Sequence, residues 1–142
     1  MAIKRMREEA LALRDTIENL DVEDVLREQQ EDPDLLIIDL RELQEQLLQG
    51  AIPGAKHVPR GMLEFWADPS SEYFREFFEE NRRTIVYCAG GIRSVLATRT
   101  LKEMGYTNVA HLESGFRGWK ESGQPIDDVA SRSKWMRRPA ES

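Results

Sequence analysis

The fold is decided by the stretch Thr84-Ile85-Val86-Tyr87-Cys88-Ala89-Gly90-Gly91-Ile92-Arg93-Ser94 of this 142-residue chain. Its opening residues form a short apolar run, which is typical of a strand buried on both faces of a parallel sheet. A glycine-rich turn follows, and we predict a helix from Ser94 to Met104. A strand that runs through such a turn into a helix is the building unit of α/β proteins.

The rest of the chain repeats this alternation of strands and helices. Further short apolar segments predict strands at Leu35–Leu40, Lys56–Pro59 and Asn108–Leu112. Helical patterns predict helices over residues 22–30, 41–49, 71–83 and 115–121, the first of them with Asp21 as its N-cap and Asp24 three residues on. Strands alternating with helices predict a parallel sheet covered by helices on both faces.

The two ends of the chain are expected to lie outside the central domain. Apolar residues recur at helical spacing over residues 3–20, which predicts a helix packed on its own domain. We divide the chain into an N-terminal helical extension (1–16), an α/β domain (17–126) and a C-terminal tail (127–142). The tail has basic residues around Trp135, and we expect it to lie along its own domain or to be disordered, with contact to a partner as the alternative.

Composition excludes several classes of protein. A net charge of −6 argues against non-specific nucleic-acid binding. No apolar run approaches the about 18–20 residues that a membrane span needs, and no targeting segment is recognisable, so we expect a cytoplasmic protein. One cysteine excludes an internal disulfide, and one cysteine with two histidines is too few ligands for a structural zinc site unless carboxylates contribute. No nucleotide-binding motif is present, so no nucleotide cofactor is implied. We expect neither a metal nor another cofactor.

Cys88 follows the central strand at its carboxyl end, where open α/β sheets bind ligands. Glycines let successive N–H groups turn inward, and the following helix adds its positive end, so residues 89–92 predict an anion-binding nest. Arg93 adds a positive charge to the same loop. These surroundings favour the thiolate, which is the nucleophilic form of cysteine. The alternative is that Cys88 is a small buried side chain at a strand end.

The spacing of the loop separates two kinds of cysteine chemistry. Only four residues lie between Cys88 and Arg93, one fewer than in cysteine-dependent phosphatases. The position that such a phosphatase uses for its arginine holds Ser94. The tighter nest is therefore expected to suit a sulfane sulfur carried on Cys88 better than a phosphoryl group.

Three segments in this order carry a family resemblance. They are Leu36-Ile37-Ile38-Asp39-Leu40-Arg41 with Gly50-Ala51-Ile52-Pro53-Gly54-Ala55, then Cys88-Ala89-Gly90-Gly91-Ile92-Arg93-Ser94, and last Gly115-Phe116-Arg117-Gly118-Trp119. The chain resembles a single-domain rhodanese, a thiosulfate-type sulfurtransferase, over about residues 17–126. The resemblance implies a five-stranded parallel α/β fold.

The resemblance also implies a ping-pong reaction. Cys88 would take a sulfane sulfur from thiosulfate or a persulfide, hold it as a persulfide, and pass it to a thiophilic acceptor, such as a protein or a small thiol. Arg93 would act with Cys88 as the cation that closes the loop. The expected substrate-binding residues are Ala89, Gly90, Gly91, Ile92 and Ser94.

Other residues carry over with supporting roles. Asp39 and Arg41 match a pair at the end of a strand, which we interpret as structural. Trp66 lies in a segment that either walls the pocket or pins a long loop. Thiosulfate-using members often have a basic residue at the position of Ile92, so the resemblance implies that a persulfide, a polysulfide or a protein is the natural donor.

Three other functions stay open from the sequence. A cysteine hydrolase would need a histidine beside Cys88, and the two candidates, His57 and His111, fit structural positions better. A phosphatase or arsenate reductase is disfavoured by the short loop. A rhodanese-like module can also serve as a sulfur carrier or docking domain that works only with a partner.

Overall fold

The computed structural model describes residues 2–133, in which five parallel strands and seven helices alternate. The strands are β1 (Glu18–Leu20), β2 (Leu36–Asp39), β3 (Lys56–His57), β4 (Thr84–Tyr87) and β5 (Val109–Leu112). The helices are α1 (Met6–Leu13), α2 (Val22–Glu31), α3 (Leu43–Gln49), α4 (Leu63–Trp66), α5 (Arg93–Met104), α6 (Gly115–Glu121) and α7 (Val129–Arg132). The sheet order is β1-β5-β4-β2-β3, which puts β4 at the centre. The predicted five-stranded parallel sheet is confirmed.

Two separate cores cover the two faces of the sheet, because successive strand residues point to opposite sides. On one face Val86 and Cys88 pack with Leu101 of α5. On the other face Ile85 packs with Trp119 of α6. Helices therefore lie on both faces, and the cysteine faces α5.

The predicted helix over residues 3–20 is wrong beyond Leu13. A 3₁₀ turn follows α1, and β1 then begins at Glu18 and pairs with β5. The side chain of Asn19 donates hydrogen bonds back to the carbonyl oxygens of Arg14 and Ile17, which satisfies backbone acceptors at the end of the turn. The spacing of the apolar residues fitted a helix, but the last of them belongs to an edge strand of the sheet.

The predicted helix over residues 71–83 is also wrong, because the structure has only turns there. The amides of Phe74 and Phe78 donate to carbonyls three residues earlier, without the four-residue bonds of an α-helix. Phe78 is nevertheless buried in the core, and Phe74 and Phe77 pack against it. The aromatic residues provide the expected apolar contacts from an irregular segment.

The other predicted helices and strands lie close to their predicted positions, whereas α4 and α7 form where no helix was predicted. The capping box of α2 is present, with Asp21 and Asp24 each accepting from the other's backbone amide. Of the predicted tail, Asp127 bridges Ala51 and Val129 is buried against the domain. Residues 134–142 of that tail lie outside the described residues. Within residues 2–133, no helix is both long and apolar enough to cross a membrane.

Candidate active site

The loop around Cys88 is closed over the sulfur. Cys88 follows β4 directly and is 1% exposed. The amide of Gly91 donates a hydrogen bond to Sγ at 3.2 Å. Gly91 has φ +94°, and a Cβ there would collide with the carbonyl oxygen of Glu113. The loop can take this shape only with glycine at position 91.

The N-terminus of α6 holds the loop from outside. The amides of Phe116 and Arg117 donate to the carbonyl oxygens of Cys88 and Ala89 at 2.8 and 3.1 Å. Gly115 has φ +64°, and a Cβ there would lie 2.8 Å from the carbonyl oxygen of Cys88. Two loop carbonyls are therefore engaged by α6, and the closing segment of the family resemblance has a physical role in fixing the loop.

Arg93 begins α5 and is paired rather than free. Its guanidinium makes two hydrogen bonds to the carboxylate of Glu45 in α3, at 2.8 and 3.0 Å. The hydrogen bonds that Arg93 donates to Glu45 raise the pKa of Arg93 above its usual value, against the opposing effect of burial. Glu45 was not singled out by the sequence, and it balances much of the charge that Arg93 brings to the loop.

Asp39 and Arg41 lie at the end of β2, on the face away from the cysteine. Both are fully buried, and Arg41 bonds the carboxylate through Nε at 3.1 Å and Nη2 at 2.8 Å. Tyr87 and Gln46 also donate to Asp39. Burial acts to raise the pKa of Asp39, but these hydrogen bonds outweigh it and hold that pKa below its usual value. The pair joins β2, α3 and β4.

Trp66, at the end of α4, is half-buried against the core on the cysteine face. The guanidinium of Arg75 lies 4.2 Å from the centre of its ring. The contacts of Trp66 are thus with the long irregular segment. A cleft of about 540 Å³ opens on the other side of the loop, where its lining includes Ala89, Arg117 and Lys120.

Ser94 joins Cys88 to His111, a residue expected from the sequence to be structural. The Sγ atom of Cys88 lies 3.5 Å from Oγ of Ser94, and that Oγ lies 2.9 Å from Nδ1 of His111. Nε2 of His111 lies 2.6 Å from Oδ1 of Asn19. The register could have indicated this, because His111 pairs with Val86 and so shares a face with Cys88.

Two arginines flank the loop from other elements. Nη2 of Arg14 lies 3.4 Å from the point where a Cβ on Gly91 would be, and Nη1 of Arg117 lies 4.0 Å from the same point on Gly90. The Nε of Arg14 is buried without a hydrogen-bond partner among residues 2–133. Ile92 itself is partly buried and brings no charge. The sequence did not single out either arginine for this place.

Within the described range, no three His, Cys, Asp or Glu side chains are grouped to hold a metal ion. The polar groups at the loop are a thiol, backbone amides, a hydroxyl and guanidinium groups. This set can bind an anion and present a sulfur nucleophile to it.

Comparisons with known proteins agree on the domain. A protein of Rhodopseudomonas palustris CGA009, described as of unknown function and a possible tyrosine phosphatase, has a TM-score of 0.79 and 40% identity, covering 89% of this chain and 98% of that one. The polysulfide-sulfur transferase homodimer of Wolinella succinogenes has a TM-score of 0.69 and 28% identity, with 84% and 85% covered.

Among curated proteins, YrkF of Bacillus subtilis (strain 168), named as a candidate sulfur carrier protein, is 34% identical over 88 residues. That match covers 62% of this chain and 43% of YrkF, and the chain spans less than half the length of the curated relatives it matches. The model of the rhodanese-like domain matches residues 22–122. The chain belongs to the rhodanese-like domain family.

Proposed function

We propose that this protein is a sulfurtransferase that carries a sulfane sulfur on Cys88 as a persulfide. The observation that carries the proposal is the Gly91 amide, which donates to Sγ at 3.2 Å inside the closed loop. An N–H aimed at this point stabilises negative charge on the sulfur and on a second sulfur bound to it. The sulfur carrier and the polysulfide-sulfur transferase among the similar proteins support the same chemistry.

The loading step is a displacement at sulfur. With thiosulfate, the Cys88 thiol and the dianion give Cys88–S–S⁻ and hydrogensulfite. The Sγ–H bond breaks, a bond forms from Sγ to the outer sulfur, and the electron pair of the donor's sulfur–sulfur bond leaves with the sulfite. In the second step a thiophilic acceptor attacks the outer sulfur, and Cys88 takes up a proton and returns to the thiol.

The donor in this proposal is an anion. Arg14 and Arg117 lie beside the loop, and neither guanidinium has a carboxylate partner among the residues described. Arg93 contributes less because Glu45 balances it. Ile92 brings no cation, so we propose a persulfide or polysulfide rather than the thiosulfate dianion as natural donor. An Ile92→Lys variant then has a lower KM for thiosulfate, and an unchanged KM contradicts this choice of donor.

Turnover with cyanide as acceptor tests the activity, since it yields thiocyanate. We expect turnover with thiosulfate and, at higher kcat/KM, with glutathione persulfide, and none from Cys88→Ser. Arg117→Gln should raise the KM for thiosulfate by about threefold to tenfold, because it removes an exposed cation worth roughly 1 kcal/mol. The matched control is Arg27→Gln, an exposed arginine on α2. No thiocyanate from either donor on folded protein would overturn the proposal as an activity on small molecules.

Two alternatives have distinct outcomes in the same experiments. The possible tyrosine phosphatase among the similar structures favours an assay with an aryl phosphate. Hydrolysis of the aryl phosphate that requires Cys88 would contradict the proposed sulfur transfer and identify a phosphatase. A protein that accepts sulfur on Cys88 but does not deliver it to cyanide or small thiols would instead be a carrier that needs a protein partner.

A further inference from the structure

The side-chain amide of Asn19 fixes the direction of the hydrogen-bonded chain that ends at Cys88. Nδ2 donates to the carbonyl oxygens of Arg14 and Ile17 at 2.8 and 3.1 Å. Oδ1 therefore faces Nε2 of His111, at 2.6 Å. An amide oxygen can only accept, so Nε2 carries the proton of the ring.

The ring in turn fixes the hydroxyl of Ser94. His111 is fully buried, and burial together with the charge of Arg14 lowers the pKa of His111 to about 4, so the ring is neutral. Its Nδ1 then has a lone pair and accepts the Ser94 hydroxyl proton at 2.9 Å. With that proton engaged, Ser94 Oγ turns a lone pair toward Sγ of Cys88, 3.5 Å away.

We propose that Asn19 and His111 are positioning residues that make Ser94 the acceptor for the Cys88 thiol proton. The chain holds the resting nucleophile as a thiol until a sulfur donor arrives. Loading then ends the interaction, because the bond to the new sulfur replaces the Sγ–H bond and the proton leaves with the donor fragment. The role of this arrangement in sulfur loading rests on the proposed function, whereas the hydrogen-bond geometry and the alkylation test do not.

Positively charged groups around the sulfur act against this hydrogen-bonded chain. Arg14 reaches the loop from the N-terminal segment, Arg117 from α6, and Arg93 interacts electrostatically with Cys88 from α5. These cations and the Gly91 amide all favour a negatively charged sulfur. The Ser94 acceptor opposes them on the free thiol, whereas the persulfide, which has no proton on Sγ, receives their stabilisation without this opposition.

One member of this hydrogen-bonded chain lies outside the region that the family model matches. The matched region begins at residue 22, whereas Asn19 lies in β1 ahead of it. The parallel register of β1 and β5 puts Asn19 directly opposite His111. The segment that precedes the matched domain is thus linked to the reactive sulfur through His111 and Ser94.

An Asn19→Ala variant tests the chain. With no acceptor for Nε2, the neutral His111 ring is free to carry its proton on Nδ1 and donate to Ser94, and the Ser94 hydroxyl then turns to donate to the sulfur. The rate of Cys88 alkylation by iodoacetamide is measured against pH. We expect the midpoint of this profile to fall by about one pH unit relative to the unchanged protein.

Two further variants complete the test. Asn19→Asp loses the same amide donors but keeps an acceptor for Nε2 of His111, so its midpoint should not fall. In a Ser94→Ala background the effect of Asn19→Ala should vanish, because the link is cut. A midpoint that rises, stays unchanged, or falls equally without Ser94 overturns the proposal. Circular dichroism establishes that each variant is folded, and alkylation needs no sulfur donor, so failure of the proposed function is recognised separately.

Discussion

Two buried polar networks leave the end of β4 on opposite faces of the sheet, and they differ in charge. Tyr87 enters the network around Asp39 and Arg41, in which the guanidinium also bonds the carbonyl oxygen of Gly50. Opposite charges there are fully buried and satisfy one another. A network of this kind holds its side chains in one geometry. Removing one partner lowers stability because it leaves a buried charge unpaired.

The network on the other face has no formal charge and has a direction. From Cys88 it runs through Ser94 and His111 to Asn19. Each donor points away from the sulfur. Tyr87, the last residue of β4, thus connects to a rigid ion pair on one face, and Cys88, which follows it, connects to an orientable hydroxyl on the other. The charged network should govern stability, and the neutral one the state of the nucleophile.

Breaking the charged network should have the largest effect on stability. Arg41→Leu leaves the buried carboxylate of Asp39 unpaired, which should lower the free energy of unfolding by about 3–5 kcal/mol. The alkylation profile of Cys88 in the folded protein should not change. Urea unfolding measures the cost, and Arg27→Leu, on an exposed pair, is the matched control. A loss below about 1 kcal/mol would mean that the buried pair is not what joins β2 to β4.

The loop that follows Cys88 should have the next largest effect on stability. Gly91→Ala should lower the free energy of unfolding by about 2–4 kcal/mol, because it adds left-handed strain and a collision with the Glu113 carbonyl. It should also slow sulfur loading. Gly54→Ala is the control, since Gly54 has φ +83° but open space around it. Equal losses in the two variants would show that strain alone is felt and that the loop is not closely packed.

Acid should act on the neutral network before the charged one. The pKa of His111 is about 4 in the folded protein against 6.5 unfolded, so the unfolded chain binds more protons between these pH values. Stability should therefore fall as pH drops from 6.5 to 4, by at most about 3 kcal/mol. Protonation of Asp39, with its lowered pKa, costs stability only below about pH 3.8.

Replacing the histidine checks this assignment. Urea unfolding of His111→Asn should lose most of the decline between pH 6.5 and 4, whereas His57→Asn should keep it. The same decline in both variants would place the acid-sensitive group outside the neutral network.

The smallest effect concerns the ion pair at the rim of the loop. Glu45→Gln leaves Arg93 without its carboxylate, so its charge should attract an anionic donor and raise kcat/KM by up to about fivefold. Glu64→Gln on α4, which breaks a comparable pair with Arg60 in the preceding turn, is the control. A lower kcat/KM after Glu45→Gln would mean that the pair serves to position the start of α5 rather than to balance charge.

Much of the fold could be predicted from the sequence because its signals are local. The apolar runs of β2 and β4 and the glycine-rich turn after Cys88 each fit one type of structure. The errors fell where local pattern and tertiary packing disagree. Leu20 fitted a helical stripe but is buried in an edge strand, and the aromatic residues around Phe78 pack in the core without a helix.

The candidate site was only partly predictable for the same reason. Cys88 and its loop are contiguous in sequence, so their proximity is fixed by the chain. Asn19 meets His111 through the pairing of β1 with β5, and His111 shares the face of Cys88 through the pairing of β4 with β5, neither of which a local pattern revealed. Glu45 meets Arg93 only because α3 packs near the start of α5.

The persulfide itself can be observed by intact-protein mass spectrometry after incubation with thiosulfate, and separately with glutathione persulfide, without reductant. The account predicts a species one sulfur atom heavier that is discharged by cyanide and absent from Cys88→Ala, with glutathione persulfide the better donor. An unchanged mass with both donors, on folded protein whose Cys88 still reacts with iodoacetamide, would contradict the claim that Cys88 carries sulfur.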